Sequence, residues 1–447
     1  MSNTPIEKFR MKLQAPLALM LALAAPLSAY SPAHAANLAD IYRLASDQDS
    51  VIQATQAQYE AAQQALPIAR AGLLPSITLQ GDKALNETND DTQGRFDSDA
   101  YGATVTQTIY NRSTSQTVKK ARLSVAQAEA SLREAQQNLI FRTAQAYFNV
   151  LTAEEAFRAA SSSRDAISRQ TEQAEKRFEV GLTAVTDVKE AQAQLDLAVA
   201  REVVAENQVA LAKQALRVII GQEVPDLDPL SQSAELTAPV PQSVDQWIAL
   251  AEANSPRLQI AKYDYEIARA DIKIEQGSRL PSLALNGRYT KSNTEATSSR
   301  PLIESGQLQL QLTYPLLTGG RTSALIHQAR SRSKQAAFNQ ETVRRAVEQE
   351  TRDAYLSVLA DISQARALKQ ALSSTEVAKE ATQAGFDAGT RTAVEVLVSL
   401  RDTFNAYADY AAARHQYVVR SLQLRLAAGI LADKHIEAVN RSLEPRP

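Results

Sequence analysis

Two stretches of nearly seventy residues, Asn111 to Phe178 and Thr318 to Phe386, contain no proline and very little glycine. At 1.5 Å per residue, a continuous helix of that length reaches about 100 Å, several times the width of a small domain. A chain holding two such helices is elongated rather than wrapped around one central core. The stretches are also copies of one another. Phe178, Gly181, Val188 and Gly221 recur 208 positions later as Phe386, Gly389, Val396 and Gly429, and Ala146-Tyr147-x-x-Val150-Leu151 recurs as Ala354-Tyr355-x-x-Val358-Leu359. Further upstream the offset is 206, joining Leu44-Ala45, Tyr59 and Leu74-Pro75-Ser76 to Leu250-Ala251, Tyr265 and Leu280-Pro281-Ser282. One structural unit is used twice.

Inside the first long stretch Ala121, Val125, Ala128, Leu132, Ala135 and Leu139 keep near-heptad spacing, and side chains this small let helices pack closely. Gly181 and Gly389 break the long helices. Return helices are predicted after them, on Val188, Ala191, Leu195, Val199 and Val203 and on Val396, Leu400, Phe404, Tyr407 and Ala411. Aromatic residues make up 5% of the chain, a thin supply for a large globular core. From Asn37 to Leu74 the pattern is helical too, with a broken stripe of Ile41, Leu44, Ala45, Ile52 and Tyr59.

At Pro75 the helical period gives way to alternation. Ile77, Leu79 and Gly81 alternate with Ser76, Thr78 and Gln80; a polar loop with Asn86, Asn89, Asp90, Asp91 and Gly94 follows; then Tyr101, Ala103, Val105 and Ile109 oppose Gly102, Thr104, Thr106 and Thr108. In the second unit Leu283, Leu285 and Tyr289 alternate with Ala284, Asn286, Arg288 and Thr290, and Leu308, Leu310, Leu312 and Tyr314 face away from Gln307, Gln309, Gln311 and Thr313. Such strands suit a soluble sheet over a core or a membrane barrel with a polar lumen, and their place at one end of a helical unit favours the barrel. Four strands cannot close one, for which about eight are needed, so copies must share the sheet.

The first residues read as an export signal. Lys8, Arg10 and Lys12 precede an apolar run from Leu13 to Ala29, and Ala33-His34-Ala35 offers a cleavage site. Cysteine is absent, which excludes disulfides and a cysteine-linked lipid. A net charge of −2 gives no reason to expect nucleic acid as a partner. The expected organisation is a signal peptide at 1–35; a first repeat at 36–221, with a strand hairpin at about 76–110 and a helical hairpin at about 111–220; a linker at 222–242 carrying Pro225, Pro229, Pro239 and Pro241; a second repeat at 243–430, with hairpins at about 282–317 and about 318–429; and a tail at 431–447. The expected fold is mainly α with a small β part.

Chemistry is hard to place on this chain. His327, His415 and His435 lack metal-ligand spacing, Gly319-Gly320-Arg321 lacks the following Gly-Lys-Ser/Thr of a phosphate loop and reads as a turn, and the acidic residues are scattered along helix faces. No catalytic residue, cofactor or metal is expected. A structural or adhesive coiled-coil protein would explain the helices but not four amphipathic strands bracketed by proline at matched positions. A secreted hydrolase on a helical scaffold would need a nucleophile, metal or carboxylate pair that the sequence does not offer.

Ala146-Tyr147-Phe148-Asn149-Val150-Leu151, Arg177-Phe178-Glu179-Val180-Gly181-Leu182 with Thr186-Asp187-Val188, Tyr314-Pro315-Leu316 with Gly319-Gly320, and Gly389-Thr390-Arg391-Thr392 together resemble the TolC family of outer-membrane efflux and type I secretion channels. The resemblance covers essentially the whole mature chain. It implies a homotrimer with a twelve-stranded barrel in outer-membrane lipid and a twelve-helix tunnel across the periplasm. It further implies a periplasmic adaptor and an inner-membrane ABC or resistance-nodulation-division pump as partners, with drugs or secreted proteins as cargo. By the same resemblance, Gly181, Leu182, Thr183, Gly389 and Thr390 form adaptor-contact tips, and Gln170, Thr186, Asp187, Phe386 and Arg391 occupy the positions of a periplasmic gate. The family's gate tyrosine is Phe386 here, so one hydroxyl bond is missing, worth on the order of 0.5 to 1.5 kcal/mol per subunit. Of the family's two entrance carboxylates the first is Glu395 and the second is replaced by Val398, which implies a weaker acidic ring or one built from another acid. Thr186, Asp187 and Glu395 also stand where helix-starting residues cap free amides, and the two roles can coexist.

Overall fold

The computed structural model describes residues 36–87, 95–294 and 302–446. The export signal and the loop residues Asn89, Asp90, Asp91 and Gly94 lie outside them. Three short helices open the first repeat: α1 (Leu38–Gln48), α2 (Ser50–Gln63) and α3 (Ala65–Ala71). The single helical pattern is thus cut twice. At the first cut the Asp49 carboxylate accepts from the amides of Val51 and Ile52, both at 3.0 Å, and takes the Arg142 guanidinium at 3.1 Å. A side chain that caps a new helix so well competes with continuing the old one.

Strands β1 (Ser76–Glu87) and β2 (Arg95–Tyr110) follow, then α4 (Arg112–Glu179) and α5 (Val185–Ile220). The second repeat supplies α6 (Val244–Asn254), α7 (Pro256–Gly277), β3 (Ser282–Thr294), β4 (Ile303–Thr313), α8 (Arg321–Asp387), α9 (Ala393–Ala427) and finally α10 (Asp433–Asn440). Ser255, at the place of Asp49, caps α7 in the same way by accepting from the Leu258 amide. The strand-to-helix junctions differ between repeats. One residue, Asn111, separates β2 from α4, whereas Tyr314 to Gly320 separates β4 from α8 and ends in two left-handed glycines. The change of offset between the repeats falls in this region.

The sheet is antiparallel in the order β1-β2-β3-β4. Its register puts Ile77 opposite Val105 and Val105 opposite Gly287, Leu285 opposite Leu310, and Leu283 opposite Leu312, so one face is apolar. Thr104, Arg288 and Gln307 share a row on the other face. A bulge between Thr108 and Tyr110 interrupts the alternation, so that Tyr110 stands opposite Leu283 and Ile109 is left out of the row where strict alternation placed it. Among the described residues no helix covers the apolar face: Leu79, Leu308, Leu310 and Leu312 are all exposed.

Two apolar cores lie partway along the helices and correspond under the repeat. Leu38, Ile41, Ala45, Tyr147, Val150, Leu216 and Ile220 form one; Trp247, Ala251, Tyr355, Val358, Leu424 and Ala428 form the other. The linker is fastened to both by equivalent tyrosines. The buried Tyr147 hydroxyl donates to the Asp228 carbonyl at 2.7 Å, and the Tyr355 hydroxyl donates to the Gln242 carbonyl at 2.6 Å. The tail closes the same belt: Leu443 bridges to Leu230, and the Arg446 guanidinium pairs with Glu154 at 2.9 Å.

Candidate functional site at the helical tips

Both long helical hairpins turn through the same backbone arrangement. At the first tip the Gly181 amide donates to the Phe178 carbonyl at 2.9 Å and the Leu182 amide to the Arg177 carbonyl at 2.8 Å. At the second the Gly389 amide donates to Phe386 at 3.0 Å and the Thr390 amide to Gly385 at 2.8 Å. Gly181 and Gly389 have φ of 76° and 78°, the left-handed conformation that ends a helix and favours glycine. Leu182 and Val180 are exposed at the first tip. An exposed apolar turn at the end of a long hairpin is suited to burial against another surface.

The polar residues expected to gather here do so in two groups. In the first hairpin the Thr183 hydroxyl donates to the Asp187 carboxylate, and Asp187 lies in the first turn of α5, whose N-cap residue Ala184 has no capping side chain. Thr186 is exposed beside it. In the second, Thr392 and Glu395 form a capping box: the Thr392 amide donates to Glu395 Oε2 at 2.8 Å, and the Glu395 amide donates to Thr392 Oγ1 at 3.3 Å. Arg391 pairs with Glu395 Oε1 at 2.7 Å. The Thr392 amide first, and then Arg391, hold the Glu395 carboxyl below the usual carboxylate range. Arg391 is thus tied to its own helix rather than to the other hairpin. Capping occupies Glu395 Oε2, while Oε1 takes Arg391.

Other side chains cross between the hairpins. Gln170 Nε2 on α4 donates to Gln383 Oε1 on α8 at 3.1 Å. Two turns further along α4, the Arg177 guanidinium lies over the Phe386 ring, 4.6 Å from its centroid. Leu397 of α9 is buried with Ile167 and Ala174 of α4 and Ala191 and Ala198 of α5, so the hairpins share a small core just above the tips. Sequence reasoning gave Arg177 and Gln383 no role. The signal available for Arg177 was its mismatch with Gly385, the residue 208 positions later. A cavity of about 350 Å³ between α8 and α9 is lined by Glu395, Val398 and Asp402 among others. Asp402 was also overlooked, although it lies two turns after Glu395 on the same helix.

The model of the outer membrane efflux protein family matches the chain twice, over residues 41–222 and 247–430. The chain belongs to the outer membrane efflux protein family. It is 35% identical to the outer membrane protein TolC of Vibrio cholerae over 92% of this chain and 94% of that one. It is 26% identical to the alkaline protease secretion protein AprF of Pseudomonas aeruginosa over 91% of this chain and 87% of that one. Among solved structures, the outer membrane protein VceC of Vibrio cholerae superposes with a TM-score of 0.75 at 19% identity, covering 88% of this chain and 96% of that one. The open-state MtrE outer membrane channel of Neisseria gonorrhoeae gives 0.74 at 18% identity, covering 89% and 91%. The expected fold class and the resemblance to TolC-type channels are both borne out. The protein is an outer-membrane channel of the efflux and type I secretion class.

Proposed function

We propose that three copies of the chain close a twelve-stranded barrel in the outer membrane and a helical tunnel beneath it. A periplasmic adaptor docked on the tips and an inner-membrane ABC or resistance-nodulation-division pump then drive drugs or secreted proteins through. The observation that carries this reading is the bare sheet. One face is apolar and uncovered, β1 and β4 are edge strands, and unpaired strand edges in lipid cost several kcal/mol per orphaned polar group. Pairing β1 of one copy with β4 of the next removes both edges. The polar row of Thr104, Arg288 and Gln307 then faces the water-filled interior.

The tips act as the closed end. Asp187 holds the first turn through Thr183, Arg391 holds Glu395 in the second, and Gln170 reaches across to Gln383. Gly181, Leu182, Thr183, Gly389 and Thr390 are the surface offered to the adaptor. With Val398 in place of a carboxylate, the acids at the entrance are Glu395 and Asp402, each paired with a neighbouring arginine, Arg391 and Arg401. The channel itself performs no chemistry.

The test is reconstitution. Detergent-extracted protein should run as a trimer and conduct ions in planar bilayers, and Asp187→Ala and Arg391→Ser should raise its single-channel conductance. A monomer that is stable without detergent would overturn the barrel; unchanged conductance in both variants would overturn the gate assignment.

A further inference from the structure

We propose that Arg177 is a gating residue, latching the two helical hairpins by seating its guanidinium on the Phe386 ring. This rests on reading the tips as the closed end of a channel. It adds a residue and a type of contact to that end, one that holds without the hydroxyl Phe386 lacks.

The geometry is that of a cation–π pair, for which the charge must lie within about 6 Å of the ring centroid; here the distance is 4.6 Å. Phe178 and Phe386 hold the same position in their hairpins, yet Phe178 is 44% exposed and Phe386 only 8%. The two tips are alike in backbone, and two of their many side-chain differences matter here. Where the first has Arg177 the second has Gly385, and where the second has Arg391 the first has Thr183. Both differences contribute to the contact. Gly385 leaves room for Arg391: a Cβ there would stand 2.7 Å from Arg391 Cγ. Arg391 is engaged by Glu395 at 2.7 Å, so Arg177 is the cation that covers Phe386.

A second contact bridges the same two helices. Gln170 and Arg177 are seven residues apart on one face of α4, and Gln383 precedes Phe386 by one turn of α8. Swinging one hairpin away from the other breaks the amide pair and the cation–π pair together. A latch of this kind involves no proton transfer and should therefore hold across neutral pH. Its loss should move the closed-to-open ratio by about fivefold per protomer, and by about a hundredfold if three latches release in concert.

The experiment is single-channel recording in planar bilayers of the full chain and of Arg177→Gln, Arg177→Lys, Phe386→Leu and the Arg177→Gln/Phe386→Leu double variant, each first shown to be an intact trimer. Arg177→Gln and Phe386→Leu should raise open occupancy equally, the double variant no further than either, and Arg177→Lys should fall between wild type and Arg177→Gln. A wild-type gating pattern in Arg177→Gln, or additive effects in the double variant, would overturn the latch while leaving the channel reading intact. If Arg177→Gln does not assemble, Arg177→Lys and Phe386→Leu decide the matter by the same criterion. A wild type that conducts nothing defeats the channel reading and the latch together.

Discussion

Replacing Gly429 by alanine tests how the second repeat packs against its own return helix, and Gly221 provides the control. The two glycines are repeat equivalents, each ending a return helix with left-handed backbone, at φ 69° and 72°. An alanine at either position pays a steric cost of roughly 1–2 kcal/mol for that conformation, partly offset by reduced freedom of the unfolded chain. The surroundings then separate the two. A Cβ on Gly221 would meet only the Gln48 side chain, at 3.2 Å. On Gly429 it would stand 2.6 Å from the Cα and N of Ser255 and 2.7 Å from the carbonyl carbon of Asn254, all backbone atoms at the junction of α6 and α7. That junction cannot rotate aside as a side chain does, so an overpacking cost of about 1–3 kcal/mol is added. Gly429→Ala should therefore cost about 2–4 kcal/mol and Gly221→Ala about 1. In a chain of this size each kcal/mol moves the melting temperature by roughly 1–2 °C, so drops of about 5 °C and about 1–2 °C are expected by circular dichroism in detergent. Equal drops in the two variants would refute the reasoning from backbone contact.

Tyr147→Phe should destabilise by about 1–3 kcal/mol, because the Asp228 carbonyl loses its hydroxyl donor in a fully buried setting; denaturant titration against Tyr355→Phe, whose partner is the Gln242 carbonyl, measures it. His415 should make stability depend on acid. Burial first, and Arg414 second, hold its folded value down to about 4. The unfolded imidazole titrates near 6.5 and so binds more protons between those values. Stability is then complete above about pH 6.5 and falls by on the order of 3 kcal/mol as pH drops toward 4. Melting temperatures at pH 7.5 and 4.5 should converge in His415→Gln relative to wild type; an unchanged slope would reject the assignment.

The architecture was legible because its causes are local. Helices as long as α4 and α8 need an absence of proline, and strands such as β4 need alternation; both are visible residue by residue. The duplication was legible for the same reason. Local signals failed where two tendencies compete, as at Asp49, where capping defeated a continuing helical stripe, and at Thr108 to Tyr110, where a bulge reset the alternation. At the tips, spacing located the turns and the capping carboxylate Glu395. It could not pair Arg177 with Phe386, because that contact depends on how two hairpins more than two hundred residues apart lean together. Only its departure from repeat symmetry marked Arg177.

The exposed edge of β4 has a consequence for the life of the chain before it reaches its membrane. From Ser305 to Thr313 the strand carries no charge and no proline, and Leu308, Leu310 and Leu312 project from it in a row. Segments with those properties recruit copies of themselves into stacked aggregates when left open to water. A chain waiting to assemble therefore carries a strand prone to self-association. Mutations that slow assembly should be toxic through clumped precursor rather than through lost transport.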